Sequence, residues 1–157
     1  MQSVVLAESA RDMKPLFYCV AALLLIAGVA NVSTATDITP AFKKEIMRGQ
    51  NAAMVPQSYT FPSRAIPYLT NLQKRYEKES KAFRLGFAMT ALSHMLTAQQ
   101  FALSLPPEEL QQAGVGYTIF SSEATILKIQ LHLTDAQMVE LFGSDLARGL
   151  KKPNAPL

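Results

Sequence analysis

The amino-acid sequence predicts an all-α protein, a small helical bundle built around one long central helix. The first observation is a row of mostly apolar residues that recur every three or four positions from Pro67 to Ser104, as on one face of a helix. The row consists of Leu69, Leu72, Tyr76, Ser80, Phe83, Phe87, Ala91, His94, Ala98 and Phe101. The second observation is that residues 85–105 contain no Lys, Arg, Asp or Glu. Since charged residues mark exposed faces, we expect the second half of this helix to be covered on most sides.

The composition predicts one folded domain preceded by an apolar segment. Of the 157 residues, 49% are hydrophobic and 17% are charged, whereas a soluble domain contains about 25% charged residues. We divide the chain into an N-terminal signal peptide or membrane anchor at 1–35, a single helical domain at 36–150 and a flexible tail at 151–157.

The N-terminal segment is typical of an export signal. Residues 16–32 carry no charge, and the apolar run is closer to the roughly 7–15 residues of a signal peptide than to the roughly 20 of a stable membrane span. The small residues Ser33 and Ala35 favour cleavage after Ala35, which predicts a periplasmic or secreted protein. An uncleaved membrane anchor is the alternative. Translation from Met13 instead of Met1 gives the positively charged start that such signals have.

Before the central helix, the sequence predicts a short helix and an irregular segment. After it, the sequence predicts a late helix. Thr39 and Pro40 begin a helix that we expect to end at Gly49. Three prolines within residues 53–67 predict an irregular segment packed on the core. Thr134 and Gln137 form a capping box that begins a late helix, with a further turn at residues 144–149.

Residues 106–133 leave two interpretations open. Two prolines followed by two acidic residues predict a short helix from Pro106, which Gly114 would end. Alternation of apolar and polar residues at 127–133 is typical of a strand, which predicts a short β-hairpin at about 115–133. Helical spacing of Tyr117, Phe120, Ala124 and Leu127, and the lack of turn residues, favour a helix instead.

A row of small residues on the central helix indicates close packing against a neighbour. It consists of Ala82, Gly86, Thr90, Ser93 and Thr97. Small side chains let two helix backbones approach, in membranes and also in tight soluble helix pairs. Because Arg84, His94 and the two glutamines at 99–100 would be costly in lipid, we favour a buried bundle helix over a second membrane span.

No catalytic, metal or nucleic-acid motif is found in the sequence. The single cysteine, Cys19, excludes a disulfide within the chain and a thiolate zinc site, and Ser121 and Ser122 lack the surroundings of a nucleophile elbow. The acidic pairs at 77/79 and 108/109 lie beside basic residues or at a helix start. The net charge of +3 is small and acidic residues interrupt the basic cluster at 74–84, so we expect no nucleic-acid partner. We expect no enzyme activity, catalytic residue, cofactor or metal.

Two features remain as candidate binding sites. Tyr59, Phe61, Ile66 and Tyr68 cluster in the proline-rich segment, where aromatic residues either cover the bundle or anchor a partner. His94 lies on the central helix near Met89 and Met95, which indicates a buried histidine or a small-ligand pocket. His132 is expected on a polar face.

We therefore predict a non-catalytic exported protein that acts by protein–protein binding. Its partner would be another envelope or secreted protein, for which it serves as an adaptor, stabiliser or inhibitor. The alternatives are a small-ligand or cofactor carrier with a pocket near His94, and a membrane-anchored accessory subunit of a larger envelope complex.

Overall fold

A computed structural model describes residues 35–150, and within them it shows an all-α bundle with no strand. The predicted signal peptide or anchor at 1–34 and the predicted tail at 151–157 lie outside the described residues. The helices are α1 (Pro40–Ala52), α2 (Pro62–Arg75), α3 (Lys81–Gln100), α4 (Pro107–Gln130), α5 (Asp135–Phe142) and α6 (Ser144–Gly149), with short 3₁₀ turns at Gln57–Tyr59 and Ala102–Ser104. No helix among residues 35–150 is both long and apolar enough to cross a membrane.

The centre of the bundle is α3, as the uncharged stretch predicted. From Ala82 to Met95 it buries residues on every side, because α1 and α4 pack against it along its length. Its last turn differs, since Thr97 and Gln100 are exposed. The C-terminal end of α3 is therefore less completely covered than its middle.

The central helix is shorter than predicted, because the chain breaks between α2 and α3. Residues 76–80, where the predicted helix from Pro67 to Ser104 is interrupted, contain no Gly or Pro. The interruption is made by an N-cap instead. Ser80 is the N-cap of α3, where its hydroxyl accepts a hydrogen bond from the Phe83 N–H at 3.2 Å. Tyr76, the C-cap of α2, packs its ring edge-on against Phe83 and Phe87.

Three predicted boundaries are wrong. Gly49 does not end α1, which continues to Ala52, and Gly114 does not end α4. Residues 62–67 are helical instead of irregular, because Pro62 stands at the first position of α2, where no N–H is needed. Pro67 is exposed within α2, where the helix continues through it.

The stretch 115–133 is helical, which confirms the favoured interpretation and not the β-hairpin. Helix α4 ends in a Schellman motif, in which the Leu133 N–H donates to the Lys128 carbonyl and the His132 N–H to the Ile129 carbonyl. His132 adopts a φ of 50° there, a position that usually carries glycine.

Replacing His132 by glycine is expected to stabilise the protein. The left-handed backbone costs a residue with a Cβ about 1 kcal/mol relative to glycine, so His132→Gly should raise the free energy of unfolding by up to about 1 kcal/mol. Urea unfolding followed by circular dichroism measures this difference. A His132→Ala variant is the control, since it removes the imidazole but keeps the strain, and it should not be stabilised.

The capping box of α5 also joins the start of the domain to its C-terminal part. Thr134 accepts from the Gln137 N–H at 3.2 Å, and Gln137 accepts from the Thr134 N–H at 2.9 Å, as predicted. The Gln137 amide also donates to the Thr36 carbonyl at 2.7 Å, and the Thr36 hydroxyl donates to the Leu131 carbonyl. Thr36 is therefore fixed at the α4–α5 corner, and α1 then carries the chain about 20 Å from the Thr39 end to the Ala53 end.

Candidate functional site

A cavity of about 340 Å³ opens at the end of the bundle where α1 and α3 finish. We call it the end cavity. It lies between the last turns of α3, the irregular segment after α1 and the first turn of α2. Its lining consists of Val55, Pro56, Gln57, Tyr59, Thr60, Pro62, Ala65, His94, Met95, Thr97, Ala98, Phe101 and Leu105.

The local sequence explains why space remains at this place. The chain leaves α1 at Ala53, and at Pro56, which has no N–H and an extended backbone, it enters the 3₁₀ turn that precedes α2. Where α2 begins, it presents Ala65 to the cavity, and α3 presents Ala98. Because both alanine side chains are short, they leave a gap between the helices that larger residues would fill.

Among residues 35–150, no charged side chain lines the cavity. The two parts of the chain that form it lie within residues 49–63 and 85–107, apart from Ala65, and neither range contains Lys, Arg, Asp or Glu. An isolated charge in such surroundings would lose its hydration without gaining a partner. The end cavity therefore suits an uncharged, mainly apolar occupant.

His94 supplies the imidazole of this lining. Its ring is half-buried, and Nε2 lies 3.2 Å from the carbonyl oxygen of Ala53, the residue that caps the C-terminus of α1. The bond satisfies one of the carbonyls that a helix end leaves without a partner. Burial lowers the pKa of His94 below its ordinary value, and the bond to Ala53 opposes this shift only in part.

Protonation of His94 is expected to weaken the fold as the pH falls. Because the folded-state pKa of His94 is below the unfolded value of 6.5, the folded chain binds fewer protons in this range. Stability contributed by neutral His94 is complete above about pH 6.5 and is lost as the pH falls toward the folded-state pKa. The measurement is the difference in unfolding free energy between wild type and His94→Gln across pH 5 to 8. A difference that stays constant or grows on acidification would contradict the assignment.

The structure separates the four predicted partner-binding residues. Tyr59 lines the end cavity and stacks on Tyr68, with ring centroids 5.0 Å apart. Phe61 is 44% exposed, whereas Ile66 is buried in the core with 8% exposure. The four side chains therefore do not form one continuous exposed surface, although Tyr59 lines the cavity and Tyr68 packs on its ring.

Several residues that line the end cavity were not identified as binding residues from the sequence. Phe101 was placed in the apolar row of a buried helix, yet it lines the cavity and is 60% exposed. Of the two methionines considered with His94, Met95 lines the cavity and Met89 lies in the core. The available signal was the absence of charge in both 49–63 and 85–107, but only the fold shows that these two ranges meet.

One member of each acidic pair has a structural partner. Glu109 accepts hydrogen bonds from the Ser63 N–H at 2.9 Å and the Ser63 hydroxyl at 2.6 Å, so it caps the start of α2. Glu79 pairs with Arg48 at 3.5 Å. Within residues 35–150, no group of three or more His, Cys, Asp or Glu side chains is arranged to hold a metal ion.

Comparison of the chain with protein-family models, with curated proteins and with solved structures gives no match. The functional argument therefore depends on the residues and geometry of the end cavity.

Proposed function

We propose that this protein is a non-catalytic binding protein that holds a small, uncharged, mainly apolar ligand in the end cavity. The observation that carries the proposal is that the described part of the chain lines the cavity with an imidazole, a phenol, hydroxyls and one amide but with no charged side chain. Ligand pockets measure about 300–1,000 Å³ and combine apolar walls with a few polar groups. At about 340 Å³, the end cavity suits a ligand near the lower end of this range.

A fluorescent probe tests this function. N-phenylnaphthylamine is neutral and apolar, and its emission rises when it leaves water for an apolar site. We expect saturable enhancement with wild-type protein and its loss in Ala98→Leu, because the longer side chain fills the cavity. Ala136→Leu is the matched control, since Ala136 is exposed on α5 and does not line the cavity. No enhancement with wild type, or equal enhancement with Ala98→Leu, would contradict the proposal.

The second candidate function is the binding of a protein partner from the envelope, as an adaptor, stabiliser or inhibitor. The observation in its favour is a set of exposed apolar side chains that line the cavity or lie within two residues of a lining residue. These are Met54, Phe61, Phe101 and Leu103, of which Leu103 is fully exposed. Exposed aromatic and apolar residues around a pocket are common anchors at protein interfaces.

A double variant tests this candidate by partner capture, which the first candidate does not require. Phe101→Ser with Leu103→Ser removes two anchors, and Val115→Ser with Ile129→Ser removes two exposed apolar side chains of α4 as the control. We expect a partner captured from envelope extracts at stoichiometric yield by wild type and the control, but not by the Phe101/Leu103 variant. If wild type captures no stoichiometric partner, this candidate is wrong.

We also propose export, with the folded domain released after cleavage following Ala35. In support, Thr36, the residue directly after the proposed cleavage point, makes two hydrogen bonds within the domain. Mass spectrometry of protein purified from its native host should find Thr36 as the first residue. An intact N-terminal segment and retention in membranes after carbonate extraction would support the membrane-anchored accessory subunit instead.

A further inference from the structure

We propose that the ligand of the end cavity is a neutral amphiphile with a hydrogen-bond donor, an alcohol or a phenol, and that its O–H binds Nδ1 of His94. This inference depends on the proposed function and assigns the chemical class of the ligand. It starts from the bond that fixes the ring of His94 in the cavity wall.

The partner of Nε2 determines which nitrogen carries the proton. A backbone carbonyl can only accept a hydrogen bond, and the Ala53 oxygen lies 3.2 Å from Nε2. Nε2 must therefore carry the hydrogen. In the neutral ring the other nitrogen, Nδ1, then has a free lone pair and can only accept.

Nδ1 is available to a ligand. No donor among residues 35–150 bonds to it, and no fully buried side-chain nitrogen or oxygen of these residues lacks a partner. Nδ1 is therefore not completely buried, and the residue that carries it lines the end cavity. Burial lowers the pKa of His94, which keeps the ring neutral near pH 7.

The other polar side chains of the lining can pair with either a hydrogen-bond donor or an acceptor of the ligand. The hydroxyls of Tyr59, Thr60 and Thr97 rotate and can donate or accept, and the Gln57 amide offers both functions. Among the lining side chains of residues 35–150, only that of His94 presents an acceptor atom that a hydrogen bond of the same side chain fixes in this role. A ligand that fills the cavity without a donor leaves Nδ1 dry and unpaired, and a carboxylate would face this lone pair with no cation to balance its charge.

Three compounds of one skeleton test the inference by displacement of N-phenylnaphthylamine. Para-butylphenol has a donor, para-butylanisole has the same oxygen methylated, and butylbenzene has no oxygen. We expect para-butylphenol to bind roughly tenfold more tightly than para-butylanisole, the usual consequence of leaving a buried polar group unpaired. Para-butylbenzoate, which is charged, should bind more weakly than para-butylphenol.

The His94→Leu variant should bind para-butylphenol and para-butylanisole equally. If this variant fails to fold, nitrogen NMR of the wild-type ring remains decisive, because it reports which nitrogen carries the proton and whether para-butylphenol shifts Nδ1. A proton on Nδ1 in the free protein overturns the inference. Equal affinity of wild type for all three uncharged compounds also overturns it but leaves the proposed function intact, whereas no binding of any compound or of the probe overturns both.

Discussion

Gly86→Ala and Gly49→Ala are each expected to lower the free energy of unfolding by about 3 kcal/mol, the upper end of the usual cost of overpacking. A Cβ at Gly86 would lie 2.1 Å from the Ile46 carbonyl oxygen, and one at Gly49 would lie 1.9 Å from the Phe83 carbonyl oxygen. Both obstacles are helix backbone, which cannot rotate away as a side chain can. The helices α1 and α3 must therefore separate, which opens the core between them.

The gain in helix propensity opposes this cost but does not cancel it. Alanine is favoured over glycine within a helix by about 1 kcal/mol, and Gly114→Ala measures that term alone. Apart from the neighbouring residues and backbone of α4 itself, no atom of residues 35–150 lies within 4 Å of a Cβ at that position. We expect Gly114→Ala to be stabilised by about 0.5–1 kcal/mol in thermal and urea unfolding. Gly86→Ala that melts at or above the wild-type temperature would show that α1 and α3 are not packed as closely as described.

The double variant tests whether the two glycines serve one contact. Gly49 meets the backbone of α3 at Phe83, and Gly86 meets the backbone of α1 at Ile46, so a single separation of the helices relieves both clashes. We expect the loss for Gly49→Ala with Gly86→Ala to be clearly smaller than the sum of the single losses. Additive losses would indicate two independent sites.

The sequence was sufficient for features that depend on neighbours in the chain. The N-cap Thr39 and the capping box of Thr134 and Gln137 were predicted, because a cap needs only the residues of one helix turn. The central position of α3 was predicted as well, since the absence of charge over residues 85–105 requires cover on most sides.

Features that depend on distant residues were missed or misassigned. Gly49 was read as a helix end, although it is needed where α1 crosses α3. Ser80 was read as one position of a long apolar row, although it caps α3, and its hydroxyl also donates to Glu45 of α1 at 3.0 Å. The end cavity could not be predicted, because it forms where Ala65 and Ala98 line the same space, 33 positions apart in the numbering.

Leu92→Ala on α3 is expected to destabilise the fold strongly. Leu92 is fully buried with 0% exposure, so truncation removes apolar contacts and leaves a cavity that the surrounding helices fill only in part. A cost of about 2–5 kcal/mol follows from comparable substitutions. Since small domains are stable by only about 5–15 kcal/mol, this variant should unfold at a clearly lower temperature and urea concentration.

Leu103→Ala is the matched control and also links stability to function. The same atoms are removed from a side chain that is fully exposed beside the end cavity, so the free energy of unfolding should change by less than about 0.5 kcal/mol. A large stability loss in Leu103→Ala would contradict the described surface. If the exposed apolar side chains of Met54, Phe61, Phe101 and Leu103 bind a protein partner, Leu103→Ala weakens that binding without changing the melting temperature. A side chain that contributes to binding but not to stability distinguishes an interface from a cover over the core.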